Sequence, residues 1–366
     1  MPPTEAAPDT QKPIENLRVL EIGDRDYFYG ILPRQVTWIW TNKRRLTDSP
    51  ADPKCEFTWK FFFDLRRRIA RGEFDLIVLT HLGIPLYRVE HFILKKIYYF
   101  LRRYFFKFFT LAPYLIFFVD LKKTKFAIVD FWDDPIIRPQ YFIFFSRLNC
   151  YFKRELPPNH WQAFLCTTRR YENLGNIRKD PGFVRVQSRL KPFPIRAYTP
   201  DQLAFSAPVD KTSDIFYVGM NHNPIRQKGV ELLKKFEAEG WRVDMPEGRL
   251  SREEFMRRLQ SSWLAFSPQG DGWECERTFE AIIHGAVPVM NLPVIERYKP
   301  LRDGVHAFYY ACEDDHLLEV LREALKDKAR LVKMLVAARE HLAAYYSANA
   351  VLQYVWTEVN SCDNDA

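Results

Sequence analysis

The 366-residue sequence has no Cys-x-x-Cys pair, and its six cysteines (Cys55, Cys150, Cys166, Cys275, Cys312 and Cys362) are scattered. No Cys/His cluster has zinc spacing, which excludes a structural zinc module and leaves free thiols in a reducing compartment as the expectation. No run of about 18 uninterrupted apolar residues occurs, so nothing reads as a transmembrane helix. There is no internal repeat and no long low-complexity tract. The opening MPPTEAAPDTQKP is polar and proline-rich. It is neither a signal peptide nor a membrane anchor and is expected to be a loose tail.

What is present is a chain long enough for two ordinary domains, 47% apolar and with a formal charge of +8. The positive balance favours anionic partners: nucleic acid, acidic lipid or phosphorylated ligands. Short apolar runs alternate with helical segments. LRVLEIGD from Leu17, VTWIWT from Val36, FDLIVLTHLG from Phe74, LIFFVD from Leu115, FAIVDF from Phe126 and YFIFFS from Tyr141 read as strands, with a helix over Phe57–Arg71. This alternation implies βαβ units and a parallel sheet. Prolines cluster between Leu156 and Lys211, which reads as a linker with a boundary near Pro208. A second alternation follows: SDIFYVGM from Ser213, a helix over Pro224–Glu239, a strand near Trp241–Met245, a helix announced by the Ser251/Glu254 capping box, a strand at Trp263–Phe266, and FYY at Phe308. From Asp314 to Val359 the chain reads as helical. The expected fold is α/β, two Rossmann-like domains facing a cleft with C-terminal helices. The expected divisions are a tail over 1–16, an N-terminal α/β domain with linker over 17–208, a C-terminal domain over 209–346, and a helix and tail over 347–366.

The most informative stretch is SPQGDGWECERTFEAIIHGAVPVM, Ser267–Met290. A strand enters a loop with two glycines, the loop opens a helix carrying Arg277 and Glu280, and the helix stops at Gly285 before another strand. Such a unit puts loop amides and a helix N-terminus at the carboxyl edge of a parallel sheet, where α/β proteins bind phosphorylated ligands. A guanidinium suits a diphosphate and a carboxylate suits ribose hydroxyls, so the pair suggests a nucleotide-sugar site. The same three-residue spacing also suits a surface ion pair worth about 0.2–0.5 kcal/mol, but the flanking glycines and strands favour the functional reading.

At these residues the sequence resembles glycosyltransferases of the GT-B architecture, nearest the exostosin-like group. The pattern G…R..EA…G..PV appears as Gly270, Arg277, Glu280–Ala281, Gly285 and Pro288–Val289, and YVGMNHNPIRQKGVELL (Tyr217–Leu233) resembles the first strand, glycine loop and helix of the same domain. The likeness covers Ser213–Tyr346; the N-terminal half matches only in its α/β alternation. The resemblance implies that the C-terminal domain binds a nucleotide-sugar donor and the N-terminal domain faces the acceptor. It implies that Glu280 holds the ribose, that Arg277 neutralises the diphosphate, and that Arg226 and Lys228 assist from the loop containing Gly219, with Ser267 and Gly270 in the second loop. GT-B enzymes need no bound metal or cofactor: arginines and a helix N-terminus stabilise the leaving diphosphate. Many retaining members carry glutamates eight positions apart, whereas the residue eight before Glu280 is Gly272. That departure leans toward inversion, which requires a general base for the acceptor hydroxyl. Asp26 or Asp24, then His81, are the candidates, each placed just past a strand end. Asp24-Arg25-Asp26 spells the DxD metal signature of GT-A enzymes, but there it follows a whole nucleotide-binding subdomain, and here it follows the first strand.

A second unusual segment is HFILKKIYYFLRRYFFKFF, His91–Phe109, with Lys95, Lys96, Arg102, Arg103 and Lys107 and no acid. The basic pairs recur at seven residues and gather on one side of a helix beside bulky aromatics. This suits a helix lying in anionic lipid headgroups and hence a cytoplasmic, peripheral membrane protein with a glycan or lipid-linked acceptor. A buried or interdomain helix with snorkelling bases, or a dimer contact, fits the same pattern. A nucleic-acid-binding protein with a non-catalytic C-terminal module is the competing class; no nucleic-acid motif supports it.

Overall fold

A computed structural model describes residues 12–23, 26–40, 59–80, 108–165, 178–220, 222–313 and 315–362. The candidates Asp24 and His81, and all five basic residues of the 91–109 segment (Lys95, Lys96, Arg102, Arg103 and Lys107), lie outside the described residues.

The first sheet contains β1 (Val19–Gly23), β2 (Val36–Trp40), β3 (Leu76–Thr80), β4 (Lys125–Asp130), β5 (Cys150–Lys153) and β6 (Leu190–Pro192), with α1 (Trp59–Ala70) before β3 and α2 (Pro181–Ser188) before β6. Its order is β2-β1-β3-β4-β5-β6, with β1 parallel to both neighbours and β5 parallel to β6. Every residue of β1 and β3 is buried, the continuous apolar reading of a strand covered on both faces.

The second sheet is built from β7 (Ser213–Phe216), α3 (Pro224–Ala238), β8 (Val243–Asp244), α4 (Arg252–Gln260), β9 (Ser262–Phe266), α5 (Glu276–His284), β10 (Val287–Asn291) and β11 (Phe308–Tyr310), in the order β11-β10-β9-β7-β8. All of its pairings are parallel. Three helices follow: α6 (His316–Lys326), α7 (Lys328–Tyr345) and α8 (Ala348–Ser361). By internal contacts the chain divides into a unit of Met1–Ile128, Ser146–Cys150 and Leu352–Ala366, and a unit of Val129–Phe145 and Tyr151–Val351. The architecture is α/β, two parallel sheets flanked by helices.

Two runs expected as strands, LIFFVD from Leu115 and YFIFFS from Tyr141, fall instead in or against 3₁₀ helices, Phe108–Phe118 and Pro139–Arg147. Both runs are apolar without alternation, a pattern that fits a buried strand and a buried helical turn equally. The proline-clustered stretch supplies α2, whose Asp180 cap accepts from the amides of Gly182 and Phe183, and then β6.

In the second unit, local chemistry sets the helices. Asn223 caps α3 with Pro224 in its first turn, and Ser251 accepts from the Glu254 amide at the start of α4. α5 ends at Gly285, whose φ of 103° is the left-handed conformation a side chain disfavours. Its last carbonyls receive Arg339 (Ile282 and Ile283, 3.1 and 3.2 Å) and Lys211 (Gly285, 2.7 Å). Behind the sheet, Ile215, Leu233, Phe236, Leu264, Phe266 and Val289 form the core.

Gly229 lets α3 lie close on that core: a Cβ there would stand 2.4 Å from the Phe266 ring. Helix propensity alone favours alanine over glycine by about 1 kcal/mol. Phe266 is fully buried between the rings of Tyr217 and Tyr310, so it has nowhere to move. Overpacking of this kind costs about 1–3 kcal/mol, so Gly229→Ala is expected to be net destabilising, read as a lowered urea midpoint. A raised midpoint would refute the contact argument.

Candidate functional site

Strand order locates the ligand edge of each sheet before any side chain is considered. In the second sheet, successive connections run one way from β7 to β8 and the other way from β9 through β10 to β11, so the order reverses between β7 and β9. Ligands of open α/β sheets sit at such a reversal, outside the carboxyl ends of the strands. The loops there are 217–223 and 267–275, and each leads into a helix, α3 and α5.

These two loops are tied together. Arg226, 5% exposed, donates from Nε to the Gln269 carbonyl at 2.9 Å and from Nη1 to the Met220 carbonyl at 3.1 Å. Asn223 accepts from the Arg226 amide and donates from Nδ2 to the carbonyls of Gln269 and Gly270. His222 Nε2 meets Asp271 Oδ1 at 2.9 Å across the same gap. From the β10 side, Asn291 accepts from the Gln269 amide and donates to its side chain.

Arg277, in the first turn of α5, reaches across to the first loop. A Cβ on Gly219 would lie 3.0 Å from Nη2 and 3.3 Å from Nη1, so only glycine leaves this approach open. The guanidinium also stands 5.6 Å from the centroid of Tyr217. Arg277 Nη1 is buried and hydrogen-bonded to nothing among the described residues. A cationic donor held out of water without an acceptor is costly unless an anion completes it.

Glu280 lies one turn further along α5, half-buried. Burial raises its carboxyl pKa, the Glu276 charge adds to this, and Arg252, Arg277 and Arg196 oppose it. It makes no side-chain hydrogen bond among the described residues. Glu276 is committed elsewhere, to Arg196.

The remaining donor-site candidates divide. Gly270 lies against Arg226 Nη2, which would be 3.1 Å from an added Cβ, and its amide closes a turn on the Gly272 carbonyl. Ser267 is 2% exposed and its hydroxyl is paired with Thr278 Oγ1 at 2.9 Å. Lys228 is exposed on the outside of α3. Sequence reasoning missed Asn223, His222, Asp271 and Asn291. Asn-Pro at a helix start carried a readable signal for the first; the others are meetings between loops far apart in the chain.

The first sheet has its own reversal, between β1 and β3. A Cβ on Gly23 would fall 2.0 Å from Thr80 Oγ1, so the two strand ends touch there. Asp26, exposed, is on the loop that follows β1. That loop is organised by Glu21, which is fully buried and accepts from the amides of Tyr27, Phe28 and Tyr29 at 2.7–3.3 Å. Burial pushes the Glu21 carboxyl up to about 7 despite those donors.

No protein-family model matches the chain, and no curated protein matches it. Solved structures do. A glycosyltransferase from Rickettsia africae superposes with a TM-score of 0.53 over 96% of this chain and 100% of its own, at 8% identity. Sucrose-phosphate synthase from Thermosynechococcus elongatus gives 0.48 at 11% identity, over 95% of this chain and 100% of its own. HepE from Anabaena, solved with UDP and glucose, gives 0.44 at 10% identity, over 93% and 91%. Of these three, only the first has a TM-score above 0.5, and it shares the α/β fold of parallel sheets flanked by helices. At such identities the likeness is one of fold alone.

Proposed function

We propose that the chain is a glycosyltransferase that moves a sugar from a nucleotide-sugar donor to a hydroxyl of a glycan or lipid-linked acceptor, with inversion and without a metal. The observation that carries the reading is Arg277, whose buried Nη1 has no acceptor and whose guanidinium faces Gly219 at the reversal of the second sheet. Two helix N-termini and the guanidinium of Arg226 add to the positive potential there. A departing nucleoside diphosphate gains charge as the glycosidic bond breaks, and fixed donors aimed at that charge are what lowers the barrier. Glu280, one turn along α5, serves the ribose hydroxyls. Asp26 is the candidate base on the described part of the first sheet's edge, with Asp24 and His81 as the other two. The fold shared with the Rickettsia africae glycosyltransferase supports the reaction class.

The basic, aromatic segment His91–Phe109 favours an acceptor presented at an anionic membrane surface. The test is product analysis with a panel of nucleotide sugars, each with no acceptor, a soluble glycan, or a lipid-linked glycan in anionic vesicles. Transfer of sugar to an acceptor supports the reading. Hydrolysis or isomerisation of the donor alone, unaffected by any acceptor, replaces transfer with another reaction at the same site.

A further inference from the structure

The second loop of the site is held at its far end by two buried charges that neither the sequence pattern nor the proposed reaction accounts for. Arg154 and Glu155 directly follow β5; they are 9% and 0% exposed. Glu155 accepts from the Trp273 amide at 2.8 Å and the Glu274 amide at 3.3 Å. Arg154 donates to the Glu274 carbonyl at 3.2 Å, pairs with Asp133, and stands 3.2 Å from Glu155 Oε1. A Cβ on Gly272 would lie 2.5 Å from Glu155 Oε1 and 2.6 Å from Arg154 Nη2, so the loop backbone is pressed directly on the ion pair.

Burying a carboxylate and a guanidinium is expensive, and an apolar pair often serves stability as well. What these two do is fix a backbone. The next residue, Cys275, is the cap position of α5, and that helix has no side-chain cap of its own. The chain of support runs from Glu155 to the amides of 273 and 274, to the start of α5, and then to Arg277 two residues on. We infer that Arg154 and Glu155 are positioning residues that set the register of the donor loop and thereby the place of the Arg277 guanidinium. A displacement of about 1 Å in such a group is enough to lose much of its effect on a bound diphosphate.

This inference rests on the donor-site reading above, and inorganic pyrophosphate as the probe separates the two. Its affinity for the full-length chain is measured by calorimetry well below every unfolding midpoint. The variants are Glu155→Gln, Arg277→Ala and Asp214→Asn, the last a control that breaks the Asp214 pairing with Arg242 and Lys328 beside the opposite end of β7. The expected result is a loss of about tenfold or more in Glu155→Gln, with Asp214→Asn at wild-type affinity. If Glu155→Gln does not fold, Gly272→Ala displaces the same carboxylate and is expected to give the same loss. Wild-type affinity in Glu155→Gln beside a loss in Arg277→Ala overturns the positioning role and spares the donor site. Equal losses in Glu155→Gln and Asp214→Asn reduce it to general stability and overturn it too. A wild type that binds no pyrophosphate removes the donor site and this role with it.

Discussion

Arg277→Ala is expected to weaken binding of a nucleoside diphosphate, with UDP as probe, about 10- to 100-fold, because a hydrogen bond to a charged group contributes about 1.5–3 kcal/mol. Thermal stability should hardly change. The side chain gives up no bond to the rest of the chain from Nη1, and its contact with the Tyr217 ring is worth about 0.5–1 kcal/mol. Arg226 differs: its bonds to the carbonyls of Gln269 and Met220 make it part of the scaffold, so its alanine variant loses stability along with affinity. Glu280→Ala supplies the sharper contrast. A carboxylate that serves the ribose is felt by UDP and not by pyrophosphate, so the variant should bind pyrophosphate as wild type does while UDP weakens. Unchanged UDP affinity in Arg277→Ala would remove the arginine from the site. Equal losses of both ligands in Glu280→Ala would assign the glutamate to the phosphates or to the helix.

Most of the second sheet was legible in the sequence because its signals are local. The Ser251 cap, the Asn-Pro start of α3, the Gly285 stop and the short strands between them are settled within a few residues of chain. Arg277 and Glu280 were legible for the same reason, since a strand, loop and helix in succession place them at a sheet edge without any distant contact. The first sheet was less legible. In the runs expected as strands from Leu115 and Tyr141, apolar sequence carries no period, and the chain forms 3₁₀ turns within 108–118 and 139–147 instead. Glu155 was beyond reach for a different reason: its partners are more than one hundred residues away, at 273 and 274. Glu21, in the middle of an apolar strand, was the nearest to a missed clue. A buried acid in such a run demands several donors, and three loop amides supply them.

Two buried carboxyls give the chain a pH signature of unusual sign. Burial pushes both Glu21 and Glu274 up to about 7, from an ordinary value of 4.5. For Glu274, Arg297, Arg154 and the Ile195 amide oppose the shift and Glu155 adds to it. A raised pKa means the folded chain holds these protons when the unfolded chain has released them. The stabilisation is therefore complete below about pH 4.5 and is lost as pH rises through about 7, by roughly 3 kcal/mol for each group. Three histidines, one buried and two half-buried, act in the opposite sense. Burial lowers His284 and His341 and takes His306 down to about 4, so their contribution grows as pH rises toward 6.5. Raw stability curves mix the two, and the difference between wild type and variant does not. Between pH 5 and pH 8, wild type should lose stability relative to Glu274→Gln by roughly 2.5 kcal/mol, seen as converging and then crossing urea midpoints. Glu21→Gln should show the same trend with a larger offset at low pH, because an amide has one acceptor oxygen where three loop N–H groups now share two. Parallel curves for wild type and both variants would mean that neither carboxyl titrates above its ordinary range, and that the charges around Glu274 hold it ionised throughout.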